Sequence, residues 1–177
     1  MPRIRHIAPL PPTAPQIVVL MGVSGSGKTT IGQRLARELG WHFCDGDDLH
    51  SRSNITKMSL GTPLTDRDRA GWLEKMRERL NQWMREGVHV VLAASLLRAM
   101  YRQRVLGPWR SHVLLVYLGT APVVLAQRLA QRSGHFMKQG MLASQLAILE
   151  IPDDAMVVDA TDPPESIVQK ITREILG

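Results

Sequence analysis

Apolar and polar positions alternate along this chain in a pattern that predicts strands separated by helices. Continuous apolar runs, typical of buried strands, occupy residues 16–21, 41–44, 88–94, 113–118 and 155–159. Between them, apolar residues recur at helical spacing in segments at 28–39, 65–87, 97–105, 122–132, 141–150 and from Pro163 onward. Strands separated by helices of this length form parallel sheets that are covered on both faces. We therefore predict an α/β fold with a doubly wound parallel sheet of about five strands and helices on both faces.

Length and composition favour one globular domain. The 177 residues are close to the size of a single domain. Residues 1–15 are rich in proline and contain no acidic residue, so we expect a flexible tail before a single domain at 16–177. The apolar runs are far shorter than the roughly 18 residues that a membrane-spanning helix needs, so no membrane partner is expected. Cys44 is the only cysteine, which excludes an intramolecular disulfide and is consistent with a cytoplasmic location.

The charge balance permits an anionic partner without indicating nucleic acid. Lysine and arginine total 22 against 16 aspartate and glutamate residues, a net charge of +6. Basic and acidic residues are interspersed, as at 66–69 and 77–79, which is typical of solvated helix faces. We expect a small anionic substrate and no nucleic-acid partner. A nucleic-acid-stimulated ATPase is the alternative from another class of protein.

A phosphate-binding loop follows the first predicted strand. Residues 22–29 match the pattern G-x-x-x-x-G-K-[ST] between a strand and a helix, the context in which this motif binds phosphates. The candidate ATP-binding residues here are Gly22, Val23, Ser24, Gly25, Ser26, Gly27, Lys28, Thr29 and Thr30. Lys28 is expected to bridge the β- and γ-phosphates and Thr29 to bind Mg²⁺. The cofactors predicted are therefore ATP and Mg²⁺.

Two absences favour a small-molecule kinase over other nucleotide-binding proteins. The chain contains no Asn-Lys-x-Asp tetrad of the kind with which switch GTPases recognise guanine. The third predicted strand runs into Ala93-Ala94-Ser95, where motor ATPases have an acidic residue. A single small domain without that acid fits phosphorylation of a small molecule.

Carboxylates end the second predicted strand. Asp45 and Asp47 flank Gly46, and the carboxyl ends of parallel strands face the ligand site in a doubly wound sheet. One carboxylate can support Mg²⁺ and the other can act on an acceptor hydroxyl. A simple turn with an N-capping aspartate is the alternative interpretation.

Several blocks in this order resemble the gluconokinase family. They are the loop 21–28, Asp45-Gly46-Asp47 with His50, Asn54, Lys57 and Met58, the segment 61–73 containing Asp66-x-Asp68-Arg69, Ser95 with Tyr101-Arg102, and Arg132-Ser133-Gly134-His135-Phe136 with Met141-Leu142. The resemblance implies a P-loop kinase fold with a small helical lid at about 128–140. It also implies transfer of the ATP γ-phosphoryl group to the 6-hydroxyl of D-gluconate, by a homodimer.

The resemblance also assigns roles to residues. Lys28, Asp47 and Arg132 would be catalytic, with Asp47 orienting or deprotonating the hydroxyl, and Asp45 would support Mg²⁺ through water. The substrate-binding residues would be Asp47, His50, Arg52, Lys57, Arg102 and His135. Arg128 and Arg132 would bind ATP as lid arginines and stabilise the charge of the transferring group.

The chain departs from the family pattern at two places, and two other kinases remain alternatives. Ser51 stands where a proline is expected, and Arg98-Ala99-Met100 stands where two lysines and a histidine are expected. A shikimate-kinase-like or other small-metabolite kinase is the nearest alternative, although the triple glycine of shikimate kinases is replaced here by 93–95. A nucleoside monophosphate kinase fits less well, because Asp45 and Asp47 would repel a second phosphate.

Overall fold

Five parallel strands form the centre of the fold. The computed structural model of the protein describes residues 12–131 and 139–177. The strands are β1 (Ile17–Met21), β2 (His42–Asp45), β3 (Val90–Ala93), β4 (Val113–Gly119) and β5 (Met156–Asp159). They pair in the order β2-β3-β1-β4-β5, and all four pairings are parallel. The predicted doubly wound parallel sheet is confirmed.

Helices connect the strands and cover both faces of the sheet. They are α1 (Lys28–Leu39), α2 (Arg52–Ser59), α3 (Asp66–Glu86), α4 (Ala99–Leu106), α5 (Pro122–Gln131), α6 (Gln139–Ile148) and α7 (Pro164–Leu176). Two 3₁₀ segments lie at Gly46–Leu49 and Gly107–His112. The structure adds α2 and both 3₁₀ segments to the predicted elements, because such short segments carry too few turns to show a helical period.

Several predicted boundaries shift by one or two residues. The third strand, predicted at 88–94, is limited to 90–93, and the helix predicted at 97–105 lies at 99–106. The helix predicted at 141–150 begins at Gln139 and ends at Ile148. Helix ends are the least specified part of a sequence pattern, because capping and tertiary contacts decide them. Only 12–15 of the predicted tail, and 128–131 and 139–140 of the predicted lid, lie within the described residues.

Strand β1 separates two apolar layers. Ile17, Val19 and Met21 pack with residues of α3 and α4, whereas Val18 and Leu20 pack with residues of α1 and α7. All five residues of β1 are fully buried, since neighbouring strands flank it on both sides. The phosphate loop, which follows the carboxyl end of β1, therefore lies in the middle of the sheet edge.

Local capping begins and ends helix α3 where the sequence predicts. Thr65 and Asp68 form a capping box at the start of α3, in which each side chain accepts a hydrogen bond from the other residue's backbone N–H. Gly87 ends the same helix in the left-handed conformation that favours glycine.

Within the described residues, no helix is long and apolar enough to cross a membrane.

Candidate active site

The phosphate loop has a backbone that requires glycine. Gly22, Gly25 and Gly27 have φ values of 153°, 83° and 98°, which side-chain-bearing residues rarely adopt. A Cβ atom on Gly22 would lie 2.7 Å from the Oγ of Ser26 and 3.1 Å from the carbonyl oxygen of Leu118. The loop between β1 and α1 is therefore a tightly curved backbone turn, as the sequence motif predicts.

The interior of this loop fits an anion. The Oγ of Ser26 is buried and has no hydrogen-bond partner among the described residues. The Nζ of Lys28 lies over the loop and donates to the carbonyl oxygens of Gly22 and Val23, at 2.9 and 3.1 Å. Helix α1 begins at Lys28, so the positive end of its dipole faces the same space. An unpaired donor, a cation and a helix N-terminus together suit phosphate oxygens.

Two hard oxygen ligands lie beside the loop. The Oγ1 of Thr29 donates to the Oδ2 of Asp45 at 2.8 Å, and the Oδ1 of Asp45 accepts from the backbone N–H of Asp47 at 3.0 Å. The sheet register causes this approach, because Ala93 of β3 pairs with Leu20 of β1 on one side and with Asp45 of β2 on the other. Hydroxyl and carboxylate oxygens fit Mg²⁺, which takes one or two protein ligands together with phosphate and water oxygens. The described residues contain no cluster of three histidine, cysteine or acidic residues for a metal held by protein alone.

Asp47 lies beside the phosphate loop, in the lining of a neighbouring cavity. It belongs to the 3₁₀ turn after β2 and lines this cavity. Desolvation by the surrounding protein raises the pKa of Asp47 above the usual aspartate value, and the nearby charge of Lys28 opposes that rise. The carboxylates of Asp45 and Asp48 add to it. A carboxylate with a raised pKa is a better proton acceptor than an ordinary surface aspartate.

This cavity is lined by elements from distant parts of the chain and is the candidate acceptor pocket. The phosphate loop contributes Ser24, the 3₁₀ turn contributes Asp47, and α3 contributes Arg69 and Trp72. The described residues that line it are Ser24, Asp47, His50, Met58, Pro63, Leu64, Arg69, Trp72, Ser95, Leu96, Leu97, Tyr101, Met141, Ser144, Gln145 and Ile148. The lining combines apolar side chains with a few polar and charged ones, a composition typical of small-molecule sites.

The imidazole of His50 is fixed as a neutral donor in this pocket. Its ring stacks on Trp72, with centroids 4.6 Å apart and planes inclined by 11°. The Nδ2 of Asn54 lies 3.3 Å from its Nδ1, and since an amide nitrogen only donates, Nδ1 accepts and the proton resides on Nε2. Burial, and then the charge of Arg69, lower the pKa of His50 to about 4. His50 therefore offers an N–H group and no charge at neutral pH.

Arg69 supplies positive charge to the pocket. Its Nη1 donates to the carbonyl oxygen of Leu64 at 2.6 Å and to the Oη of Tyr101 at 3.4 Å. Tyr101 in turn donates to Asp66, which also accepts from Arg98 at 2.6 Å. Among the described lining residues, Arg69 is the only one whose side chain carries a permanent positive charge.

A separate groove lies beside the phosphate loop, next to α5. Arg128 on α5 donates to the carbonyl oxygens of Gly25 and Ala160, at 3.3 and 2.6 Å. The groove is lined by Thr30 and Ile31 of α1, by Arg128, and by the segment 160–164 after β5. The predicted residues Thr30 and Arg128 thus lie together beside the loop.

Known proteins of similar sequence and structure identify the family. A family model described as an AAA domain matches residues 17–152. The gluconokinase of Gluconobacter oxydans (strain 621H) is 42% identical over 162 residues, which cover 90% of this chain and 90% of that protein. The chain belongs to the gluconokinase family. The resemblance stated from sequence motifs is therefore confirmed.

Solved structures agree with this assignment to the gluconokinase family. A gluconokinase from Sinorhizobium meliloti 1021 superimposes with a TM-score of 0.81 at 38% identity, covering 91% of this chain and 94% of that one. An unliganded sugar kinase from Janibacter sp. HTCC2649 gives a TM-score of 0.82 at 38% identity, covering 90% and 94%. The predicted P-loop kinase fold and kinase class are thus both supported.

Three substrate residues predicted for this gluconokinase-family chain lie outside the described lining of the acceptor pocket. Arg52 is exposed at the start of α2, and Lys57 forms a 2.7 Å ion pair with Asp68. Arg102 donates to the carbonyl oxygens of Leu96 and Leu97, and lines a neighbouring groove instead. The substrate roles of these residues stay predictions.

Other predicted residues fall outside the description. Arg132 and His135 belong to the segment 132–138, which lies outside the described residues. Their predicted roles therefore stay predictions as well.

Arg69 is not among the site residues predicted from the sequence, although the sequence contains a signal for it. Arg69 lies three positions before Trp72 on α3, so both residues share one helix face. The apolar stripe on that face favours its interpretation as core. A charged residue on the buried face of an amphipathic helix indicates a polar cavity under that face.

The buried His50 predicts a specific dependence of stability on pH. Between pH 6.5 and about 4 the unfolded chain binds a proton at His50 that the native protein does not, so the free energy of unfolding falls as the pH falls. We expect His50→Gln to lessen this fall by about 2 kcal/mol between pH 7 and pH 5, because glutamine does not titrate. Urea denaturation at several pH values measures the effect. An equal fall in the free energy of unfolding of wild type and of His50→Gln would contradict the prediction.

Proposed function

We propose that this protein transfers the γ-phosphoryl group of ATP to the 6-hydroxyl of D-gluconate and forms 6-phospho-D-gluconate, with Mg²⁺ as the metal. The gluconokinase relative with 42% identity supports the activity. The structural observation that carries the proposal is the pocket beside Ser24, which contains both Asp47 and Arg69. A carboxylate can act on the hydroxyl of a sugar acid, and a guanidinium can bind its acid group.

The donor side of the reaction rests on the phosphate loop. Lys28 and the loop N–H groups would bind phosphate oxygens, since both point positive charge into the same space. Thr29 and Asp45 would hold Mg²⁺, with Asp45 acting through a water molecule. When bound, the metal would offset negative charge on the β- and γ-phosphate oxygens.

The acceptor side rests on Asp47, His50 and Arg69. Asp47 would accept the proton of the 6-hydroxyl while the new O–P bond forms and the bond between the γ-phosphorus and the β–γ bridging oxygen breaks. The Nε2–H group of His50 would donate to a substrate hydroxyl. Arg69 would bind the gluconate carboxylate, because a guanidinium matches a carboxylate with two parallel hydrogen bonds.

Cationic residues would stabilise the transferring group. Arg128 already lies against the phosphate loop through its bond to Gly25. Arg132, with His135 nearby in sequence, would add further positive charge from a lid at 128–140. We propose these roles within one kinase domain spanning 16–177.

The distribution of charge supports a small substrate over nucleic acid. Many described basic residues are paired with acids; these pairs are Arg34–Glu165, Lys57–Asp68, Arg77–Glu74, Arg98–Asp66, Arg110–Asp154 and Lys170–Asp162. Charge neutralised in this way does not form the continuous basic track that a nucleic-acid surface needs. The homodimer and the cytoplasmic location implied by sequence stay predictions.

A panel of acceptors tests the proposed reaction. ADP release would be measured with ATP and Mg²⁺ and one acceptor at a time: D-gluconate, D-glucitol, shikimate, a nucleoside monophosphate, and RNA. D-Glucitol has the same carbon chain with a hydroxymethyl group in place of the carboxylate, so it isolates the contribution of the acid group. We expect the highest kcat/KM with D-gluconate and a loss of about tenfold or more with D-glucitol, since a charge-assisted hydrogen bond is removed. Stimulation by shikimate or RNA alone would contradict the proposal.

Replacing Asp47 tests the proposed proton acceptor. Asp47→Asn keeps the size of the side chain and removes its basicity, so we expect kcat to fall by roughly 10² or more. The dissociation constant for ADP should stay near the wild-type value. Asp48→Asn is the matched control, because Asp48 is adjacent and exposed but does not line the pocket. Near-normal turnover by Asp47→Asn, or an equal loss in the control, would contradict the assignment.

A further inference from the structure

Gln145 of α6 makes two hydrogen bonds to one residue of the phosphate loop. Its Oε1 accepts from the backbone N–H of Ser24 at 2.7 Å, and its Nε2 donates to the Oγ of Ser24 at 3.2 Å. The two residues are 121 positions apart in the chain. Both are partly buried, so these bonds are shielded from competing water.

The carboxamide is the chemical group that can satisfy both atoms of Ser24 in this way. Its oxygen accepts from an N–H group while its nitrogen donates to a hydroxyl. A carboxylate could accept only, and an apolar side chain of the same length could do neither. The contact is therefore specific to the glutamine side chain and does not reduce to packing.

Ser24 lies in a tight turn of the phosphate loop. The backbone N–H of Ser26 donates to the carbonyl oxygen of Val23 at 3.2 Å, and this turn bond does not use the N–H of Ser24. The direction of those N–H groups decides how the loop meets phosphate oxygens. The bond from Gln145 restrains the N–H of Ser24, which the turn bond itself does not hold.

Helix α6 is itself held firmly and faces the acceptor pocket. Leu142 packs with Val23, Leu97 and Leu125 in an apolar cluster. Just past the end of α6, the backbone N–H of Glu150 donates to the carbonyl oxygen of Leu97 at 2.8 Å. Three residues of the same helix, Met141, Ser144 and Ile148, line the acceptor pocket together with Gln145.

We propose that Gln145 is a positioning residue for phosphoryl transfer. By holding the N–H and the hydroxyl of Ser24, it sets the shape of the phosphate loop at the junction between the nucleotide and the acceptor pocket. This inference rests on the proposed function, because it names how the two substrates are aligned there. It concerns the part of the loop that lines the acceptor pocket.

A double-mutant cycle separates positioning from packing. Gln145→Met keeps length and removes both hydrogen bonds, and Ser24→Ala removes only the hydroxyl partner. We expect kcat to fall about tenfold in Gln145→Met, the net effect of one to two hydrogen bonds, and less in Ser24→Ala. The double variant should be no slower than Gln145→Met alone, because the hydroxyl of Ser24 acts through Gln145. Gln127→Met, at an exposed position on α5, is the control and should keep the wild-type rate.

Two further readouts distinguish this role from a general loss of structure. The dissociation constant for ADP and the thermal midpoint of Gln145→Met should stay close to wild type. Hydrogen exchange of the Ser24 amide should quicken in Gln145→Met, a readout that does not depend on the acceptor. An unchanged exchange rate, an unchanged kcat or additive losses in the double variant would overturn the inference. Absence of gluconate turnover in wild type, with faster Ser24 exchange in the variant, would instead contradict only the proposed function.

Discussion

The burial of β1 between two neighbouring strands is the constraint on which the rest of the site depends. All five residues of β1 are buried, and Gly22 begins the phosphate loop directly after the carboxyl end of this strand. The same register places Asp45 of β2 level with Leu20, two strands away, so that Thr29 can reach it. The phosphate loop and the proposed metal ligands therefore come together through strand pairing, independently of the acceptor pocket.

The acceptor pocket presents one negative and one positive side chain, Asp47 and Arg69, beside the stacked rings of His50 and Trp72. Trp72 stacks on His50 and also donates to the carbonyl oxygen of Gly46 at 2.7 Å, which ties these rings to the turn that carries Asp47. Because His50 is neutral, Arg69 provides the positive charge of the described lining and Asp47 the negative charge. A polyol with an acid group at one end and a primary hydroxyl at the other complements this arrangement.

Sequence reasoning predicts the parts of the molecule that depend on local pattern. Continuous apolar runs predict the five strands, and the Thr65–Asp68 pair predicts the capping box, because neighbouring residues alone determine them. The phosphate loop is predicted for the same reason, since its shape follows from closely spaced glycines. The family resemblance implies gluconate as the substrate, which no spacing of residues in this chain would reveal.

The features that sequence reasoning missed depend on contacts between distant segments. The contact between Gln145 and Ser24 joins α6 to the phosphate loop, and no periodicity marks it. Arg102 belongs to a family block, yet the fold directs it to the carbonyl oxygens of Leu96 and Leu97. Arg69 enters the pocket because α3 turns that face toward the sheet edge. Side-chain direction, set by tertiary packing, decides these cases.

In the proposed reaction, a nucleotide site and an acceptor site meet so that one phosphoryl group passes directly to a primary hydroxyl. Proton-coupled ³¹P NMR of a reaction containing ATP, Mg²⁺ and D-gluconate can show this transfer. We expect a new phosphomonoester signal split into a triplet by the two protons of one CH₂ group, growing in step with ADP. Release of inorganic phosphate alone, or a doublet from a secondary hydroxyl, would contradict the account.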